Sequence, residues 1–350
     1  MTLYDRIGDL DVTIDGWDLD RRVRDTSSGF ERVTTVISLH GDGEVGRGED
    51  VTYEADEHHS LIDAAPDVVP TGATTHREFA AHVGDTDLFF GRDLDRDAFR
   101  DYRRWAFESA ALDLALRQAD TDLASALDRE YDEVRFVAST RLGDPPTFDR
   151  VEAFLDRDPA LEFKLDPTSD WSTDLIERLA DTGRVRVLDL KGQYRGTSVD
   201  QAADPDLYER VIEGVPDATI EDPALTEETR PLFDGHEERV SWDAPIHGVE
   251  TVESLPWEPS VLNVKPSRFG SVESLFETIE YCREHDIECY GGGQFELDVG
   301  REHLHALASL FYPDAPNDVA PRAYNDPDLA EDLPTSPLAP PSTPTGLGWR

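Results

Sequence analysis

Two rhythms of apolar and polar positions divide the chain. Over residues 8–58 they alternate as antiparallel strands do. RVTTVISLHG is rich in β-branched residues, and GDGEVGRGED behind it offers a hairpin turn. Before it, RDTSSGF is polar, small and glycine-bearing, which suits a mobile loop. Over residues 73–118 the period becomes helical. FRDYRRWAFESAALDLALRQA is rich in helix formers and apolar over much of its surface, so it should lie buried between layers. Strands followed by helices predict a small α+β domain over residues 1–130.

From about residue 133 the rhythm changes to strand–helix alternation. Strands are expected at VRFVAST, LEFKLD, VRVLDLK, ATIEDP, RVSWDAP, VLNVKP, ECYGGG and, more weakly, NDVAP. Helices fall between them. Val272, Leu275, Phe276 and Ile279 share one face of SVESLFETIEYCREH, and Leu304, Leu307, Ala308 and Phe311 stripe GREHLHALASLFY. Seven strand–helix units and a closing strand predict a (β/α)7β TIM-like barrel over residues 131–325. A doubly wound sheet stays open as an alternative, but no glycine-rich dinucleotide fingerprint follows the first strand. Residues 326–350 are too rich in proline for a helix and predict an extended tail. That tail is either a disordered end or is packed back on the first domain through Leu347 and Trp349.

Charge and composition narrow the class. The formal net charge is −43, and the acidic residues are spread along the chain rather than gathered in one run. That pattern fits a solvated surface of a halophile's protein, kept compact by concentrated salt, better than an acidic tail for a basic partner. With no basic stripe to neutralise phosphates, nucleic acid is not an expected partner. No apolar run approaches the roughly 20 residues of a membrane span. MTLYDRIGDLDV has no positive start and no apolar stretch, so no signal peptide is expected. Cys282 and Cys289 lack metal-ligand spacing and read as packed thiols of a reduced, cytoplasmic protein.

The basic residues are arginine except at three positions, Lys164, Lys191 and Lys265. Arginine cannot release its proton at neutral pH, whereas a desolvated lysine can. A chain that has nearly abandoned lysine should keep it where an ammonium is chemically needed, and all three sit where a predicted strand runs into a loop. The C-terminal strand ends of a barrel form the active site. Lys164 falls on barrel strand 2, Asp189 on strand 3, Glu221 on strand 4, Asp243 on strand 5 and Lys265 on strand 6. Asp189 and Lys191 are expected on one strand face. Three convergent carboxylates suit a hard divalent ion such as Mg²⁺, with the two lysines of strands 2 and 6 on opposite sides. A carboxylate substrate can complete the coordination, and the metal stabilises charge built up by loss of the adjacent proton. A structural ion-pair cluster of the lysines and acids is the main competing explanation.

The order lysine, Asp, Glu, Asp, lysine on strands 2 to 6 resembles the enolase superfamily, in its muconate-cycloisomerase and o-succinylbenzoate-synthase-like branch, which belongs with mandelate racemase and muconate lactonizing enzyme. NVKPSRFG, GGGQFELDVGREH, GRGED and the WAFESAALDLALRQA helix are similar to that branch's motifs, and the likeness covers roughly residues 10–325. It implies an N-terminal α+β capping domain that selects the substrate, with loops near Ser27–Gly29 and Asp50–Tyr53, and a Mg²⁺-dependent isomerase or lyase that makes an enolate from a small carboxylate. The outcome could be cycloisomerisation, racemisation or epimerisation, or dehydration. A homo-oligomer is compatible with it.

Two positions depart from the family pattern. Where the family has Lys-x-Lys on strand 2, this chain has Lys164-Leu165-Asp166, so Lys164, Lys265 and Asp166 are the catalytic candidates. Asp166 reads either as a base or as a salt-bridge partner. Where the family has Asp-x-Asn on strand 3, Lys191 replaces the asparagine; it loses its proton, weakens the metal or, as we favour, holds an anionic substrate group. Glu296, as a group orienting Lys265 or ligand, and His247 complete the substrate-binding candidates. Two other functions stay open: a Schiff-base lysine aldolase built on Lys265, and a non-catalytic relative that binds an acidic ligand.

Overall fold

In the computed structural model, which describes residues 1–64, 68–197 and 199–349, the alternating N-terminal stretch forms strands β1 (Asp11–Ile14), β2 (Gly16–Asp25), β3 (Glu31–Gly41) and β4 (Glu44–Asp50). β2, β3 and β4 make an antiparallel sheet. Asp42 (φ 50°) and Gly43 (φ 85°) turn β3 into β4, and two consecutive positive φ angles are what a tight hairpin of this twist requires. The helical stretch gives α1 (Ala55–Ala64), then β5 (Gly72–Thr75) paired with β1, α2 (His76–Asp85) and α3 (Ala98–Gln118). A capping box of Thr75 and Glu78 starts α2.

The sheet lies directly against α3. A Cβ added to Gly48 would stand 1.9 Å from the carbonyl oxygen of Ala106, so no larger residue permits this approach. α3 is buried on both sides, as its composition predicts. Ala106, Phe107, Ala110 and Leu114 pack into the core of the N-terminal domain. Trp105, Leu112 and Leu116 pack into the larger core behind it.

After α4 (Leu123–Leu127), the parallel strands β6 (Val137–Thr140), β7 (Glu162–Leu165), β8 (Val185–Asp189), β9 (Thr219–Glu221), β10 (Val240–Trp242), β11 (Val261–Val264) and β12 (Glu288–Gly291) pair in sequence order. The helices on their outer side are α5 (Asp149–Leu155), α6 (Thr173–Asp181), α7 (Pro205–Gly214), α8 (Val249–Glu253), α9 (Val272–Glu284) and α10 (Val299–Phe311). The ring closes through residues 317–318. Val137 N donates to Asn317 O (2.9 Å), and Asp318 N donates to Gly291 O (2.7 Å). The eighth stave is therefore a pair of isolated bridges rather than the strand expected at NDVAP. The Asn317 amide compensates: its Oδ1 accepts from Gly291 N at 2.6 Å, and its Nδ2 faces the carbonyls of Arg135, Tyr312 and Ala315. This is the TIM-like barrel and the N-terminal α+β domain that the two rhythms predict, with that domain in the capping place that the family resemblance implies.

One unit departs from the expected alternation. Among the described residues no α-helix joins β9 to β10; two 3₁₀ turns, Arg230–Phe233 and Glu237–Arg239, stand there instead. Pro231 and Gly235 interrupt any longer helix. The C-terminal tail runs back along the molecule. Leu338 pairs with Val134, Gly346 N donates to Thr121 O, and Leu347 is buried in the larger core. Trp349 packs edge-on against Tyr131 and His305. No described helix is long and apolar enough to cross a membrane.

Glu49 fastens the two domains. Its carboxylate accepts the backbone N–H groups of Leu297, Asp298 and Gly300 at 2.6–3.0 Å, at the N-terminal end of α10. Arg32, held within its own domain by Thr52 O (2.6 Å), reaches across to Gln294 O (3.0 Å), and Tyr53 donates to Gln294 Oε1 (2.9 Å). These contacts set the edge of the N-terminal sheet over the barrel mouth.

Candidate active site and metal centre

Short parallel strands carry their terminal side chains to one end of the barrel. Asp189 ends β8 and Glu221 ends β9, while Asp243 and Lys265 lie one residue beyond β10 and β11. Carboxylate oxygens of Asp189, Glu221 and Asp243 lie within 4.8 Å of one another, and all three residues are buried. Hard oxygen donors in this number and spacing fit a Mg²⁺-type ion. The sequence-predicted metal ligands are thus together.

Protein cations surround them. Lys164 Nζ lies 2.5 Å from Glu221 Oε1, 3.2 Å from Asp189 Oδ2 and 3.3 Å from Asp318 Oδ2. Lys265 Nζ lies 2.8 Å from Asp243 Oδ2, and Arg268 Nη1 lies 2.7 Å from Asp243 Oδ1. The Lys191 ammonium contacts Asp189 Oδ2 and stands 3.7 Å from Asp166 Oδ1. A divalent ion entering this cluster would meet these cations, and cations sharing one carboxylate repel each other.

Burial and these pairs set the ionisation of the cluster. Burial alone would lower Lys164, but Glu221, Asp189 and Asp318 hold it well above its usual value. Burial likewise opposes the charge on Lys191, which Asp166 and Asp189 outweigh. Burial raises Asp189, yet Lys191 and Lys164 hold it below the usual carboxylate range. Glu221 moves the other way, pushed well up by burial and by the Asp189 charge. Asp222, raised to about 7 by burial and by the charges of Asp243 and Asp189, braces the site by accepting the N–H groups of Asp243 and Ala244, each at 2.8 Å.

A cavity of about 610 Å³ lies above the cluster, between the barrel and the N-terminal domain. Ser28, Phe30, Tyr53 and Tyr102 reach it from the N-terminal domain, and Lys191, Lys265, Asp166 and His247 from the barrel. Lys164 does not line it; only 1% of its side chain is exposed. Asp166 sits on the wall with Arg141 Nε at 3.2 Å. His247 is held by Arg268 O (3.1 Å) and Ala244 O (3.2 Å). Glu296 is buried off the cavity, accepting from Gln294 N at 2.6 Å with Arg301 at 3.4 Å, and the acceptor of Lys265 is Asp243 instead. A Cβ on Gly292 would stand 2.8 Å from Lys265 Cε, so the glycine run leaves room for that lysine.

The expectation that Asp189 and Lys191 share a strand face needs correcting. β8 stops at Asp189, and Lys191 lies beyond it with φ 54°. The Asp189 carboxylate accepts the Lys191 backbone N–H at 3.1 Å, a local turn that competes with the strand. The Lys191 side chain then folds back on the same carboxylate.

Several site residues were missed in the sequence. Arg268 lies within the motif that singled out Lys265, and Tyr194 donates to Asp243 Oδ2 at 2.6 Å from an irregular loop. Tyr290 donates to Glu221 Oε2 from the inner face of β12. Asp318 arrives from the short closing stave. Only Arg268 had a signal, being an arginine three residues past a retained lysine.

Residues 5–126 and 130–326 match the N-terminal and C-terminal domains, respectively, of a family described as a domain of unknown function, DUF8230. O-succinylbenzoate synthase of Bacillus subtilis (strain 168) is 33% identical over 70 residues, which is 20% of this chain and 19% of that relative's length. The structure of a dipeptide epimerase from Methylococcus capsulatus complexed with Mg ion superposes with a TM-score of 0.65 at 16% identity, covering 87% of this chain and 89% of that one. Muconate lactonizing enzyme from Pseudomonas putida gives 0.63 at 18% identity, covering 88% of each chain. The shared architecture is the enolase-superfamily fold.

Proposed function

The chain belongs to the DUF8230 family, and from its fold and its strand-end cluster we propose a metal-dependent enzyme that removes the proton beside the carboxylate of a small substrate. The reaction type is an isomerase's or a lyase's. One observation carries the reading: three buried carboxylates end consecutive barrel strands within 4.8 Å of one another, beneath a cavity into which Lys265 and Lys191 project.

Mg²⁺ is the proposed metal; bound by Asp189, Glu221 and Asp243, it would supply the positive charge that stabilises a substrate carboxylate as it gains electron density. The Mg ion of the Methylococcus dipeptide epimerase supports this choice. Lys265 is the proton-transfer group, since its Nζ is at the cavity floor beside a proposed ligand. Asp166 is the candidate partner on the wall near Lys191. Lys164 has no cavity surface and acts through the carboxylates it pairs. Lys191 and His247 are the proposed contacts to the substrate's anionic groups. The N-terminal domain excludes water through Phe30 and Tyr53 and selects the substrate. A cytoplasmic location belongs to the same reading.

The test is a screen of small carboxylic acids in D₂O and concentrated KCl with Mg²⁺, followed by proton NMR. Loss of the proton next to a carboxylate identifies the substrate class. Exchange of none of them, with metal binding demonstrated in the same sample, favours a ligand-binding protein instead.

A further inference from the structure

Lys191 itself lines the cavity, where it is set between a proposed metal ligand and a second carboxylate on the wall. Its ammonium contacts Asp189 Oδ2, and Asp166 Oδ1 is 3.7 Å away. Its side chain is 13% exposed, whereas that of Lys164 is 1% exposed and fixed by three carboxylates at once. The Tyr194 ring lies 5.2 Å from the Lys191 Nζ and offers it a second favourable surface along the wall.

Asp189 is crowded. It accepts the Lys191 backbone N–H at 3.1 Å and the Lys191 ammonium, and it pairs with Lys164 Nζ at 3.2 Å. Lys164 cannot leave without stranding Glu221 and Asp318, whereas Lys191 needs only side-chain rotation on a four-carbon stem to exchange one carboxylate for another. We propose that Lys191 is a tethered counter-ion of the metal site: it occupies Asp189 in the metal-free protein and transfers to Asp166 when a divalent ion binds. The inference rests on the reading of Asp189, Glu221 and Asp243 as metal ligands and adds to it a device for metal entry. It also accounts for the paired departures at 166 and 191, since the acid on β7's end receives the cation from the turn after β8. A Lys191 moved to Asp166 stands on the cavity wall, where it meets an anionic substrate.

Mg²⁺ titration calorimetry in concentrated KCl, with Mn²⁺ binding followed by EPR as a second readout, tests this on the full chain. Lys191→Met removes the competitor and should tighten metal binding at least about fivefold, the lower end of ordinary coupling between sites. Asp166→Asn removes the alternative acceptor and should weaken binding. In the Lys191→Met background the Asp166→Asn effect should vanish, because Asp166 acts through Lys191. Lys191→Gln, with circular dichroism on every variant, guards against a variant that does not fold. Equal or weaker binding by both Lys191 variants overturns the inference while leaving the metal site standing. An Asp166→Asn loss that persists without Lys191 also overturns it, as a plain charge effect. If neither wild type nor any variant binds Mg²⁺ or Mn²⁺, the metal reading itself falls, and this inference with it.

Discussion

Lys164 Nζ stands 2.5 Å from Glu221 Oε1, closer than to either of its other two carboxylate partners, and neither residue is open to solvent. Lys164, set among Glu221, Asp189 and Asp318, is therefore the counter-charge of this carboxylate cluster. Replacing Lys164 by Met leaves buried carboxylates unpaired, a change that costs about 3–5 kcal/mol in comparable cases. Denaturant unfolding in EDTA should show that loss, and saturating Mg²⁺ should recover more stability in the variant than in the wild type. Equal stability of the two proteins in EDTA would show that Lys164 is not the counter-ion.

Glu221 gives a pH dependence. Burial and the Asp189 charge raise its pKa, so in the metal-free protein it keeps a proton above the usual carboxylate range. A metal binds the ionised carboxylate, so binding expels that proton and apparent Mg²⁺ affinity rises with pH up to the raised pKa. The same shift means that Glu221's contribution to stability without metal is present at low pH and declines as pH rises through its folded pKa. Calorimetric titrations in two buffers of different ionisation heat should report net proton release. Zero release would contradict the assignment of Glu221 as a ligand.

The formal charge of −43 predicts a salt requirement. Screening shortens from about 10 Å to about 3 Å between 0.1 M and 1 M salt. The melting temperature should rise over that range of KCl, measured with EDTA present so that metal binding does not contribute. A flat profile would show that self-repulsion of the acidic surface is not limiting.

Much of this was legible in the sequence, and the parts that were not have physical reasons. Retained lysines among arginines, and acids at the ends of β-branched runs, located Lys164, Asp189, Glu221, Asp243 and Lys265, which the fold does bring together. Apolar periodicity reports which face is buried, and it found α3, α9 and α10 because each has a long stripe. It fails where a stave is reduced to isolated bridges, as at Asn317–Asp318. It also fails where a side chain's hydrogen bond redirects the backbone, as Asp189 does to Lys191. Tyr194 reaches the site from an irregular loop that nothing local in the sequence marks, and Asp318 sits at the start of NDVAP rather than at the C-terminal end of a strand. The missing helix after β9 is marked in the sequence by Pro231 and Gly235, which break the strand–helix rhythm there.

Removal of a proton next to a substrate carboxylate by this cluster is open to a single experiment. Deuterium incorporation into a carboxylic acid identified by screening is followed by NMR for the wild type and for Lys265→Met, each with Mg²⁺ in concentrated KCl and with circular dichroism confirming the fold. Lys265 is the proposed proton carrier beside Asp243. Mg²⁺-dependent exchange is expected in the wild type, with a fall of about 10²–10⁴-fold in the variant, the usual weight of a positioned acid or base. Equal exchange rates in the two proteins, or exchange indifferent to Mg²⁺, would contradict this reading.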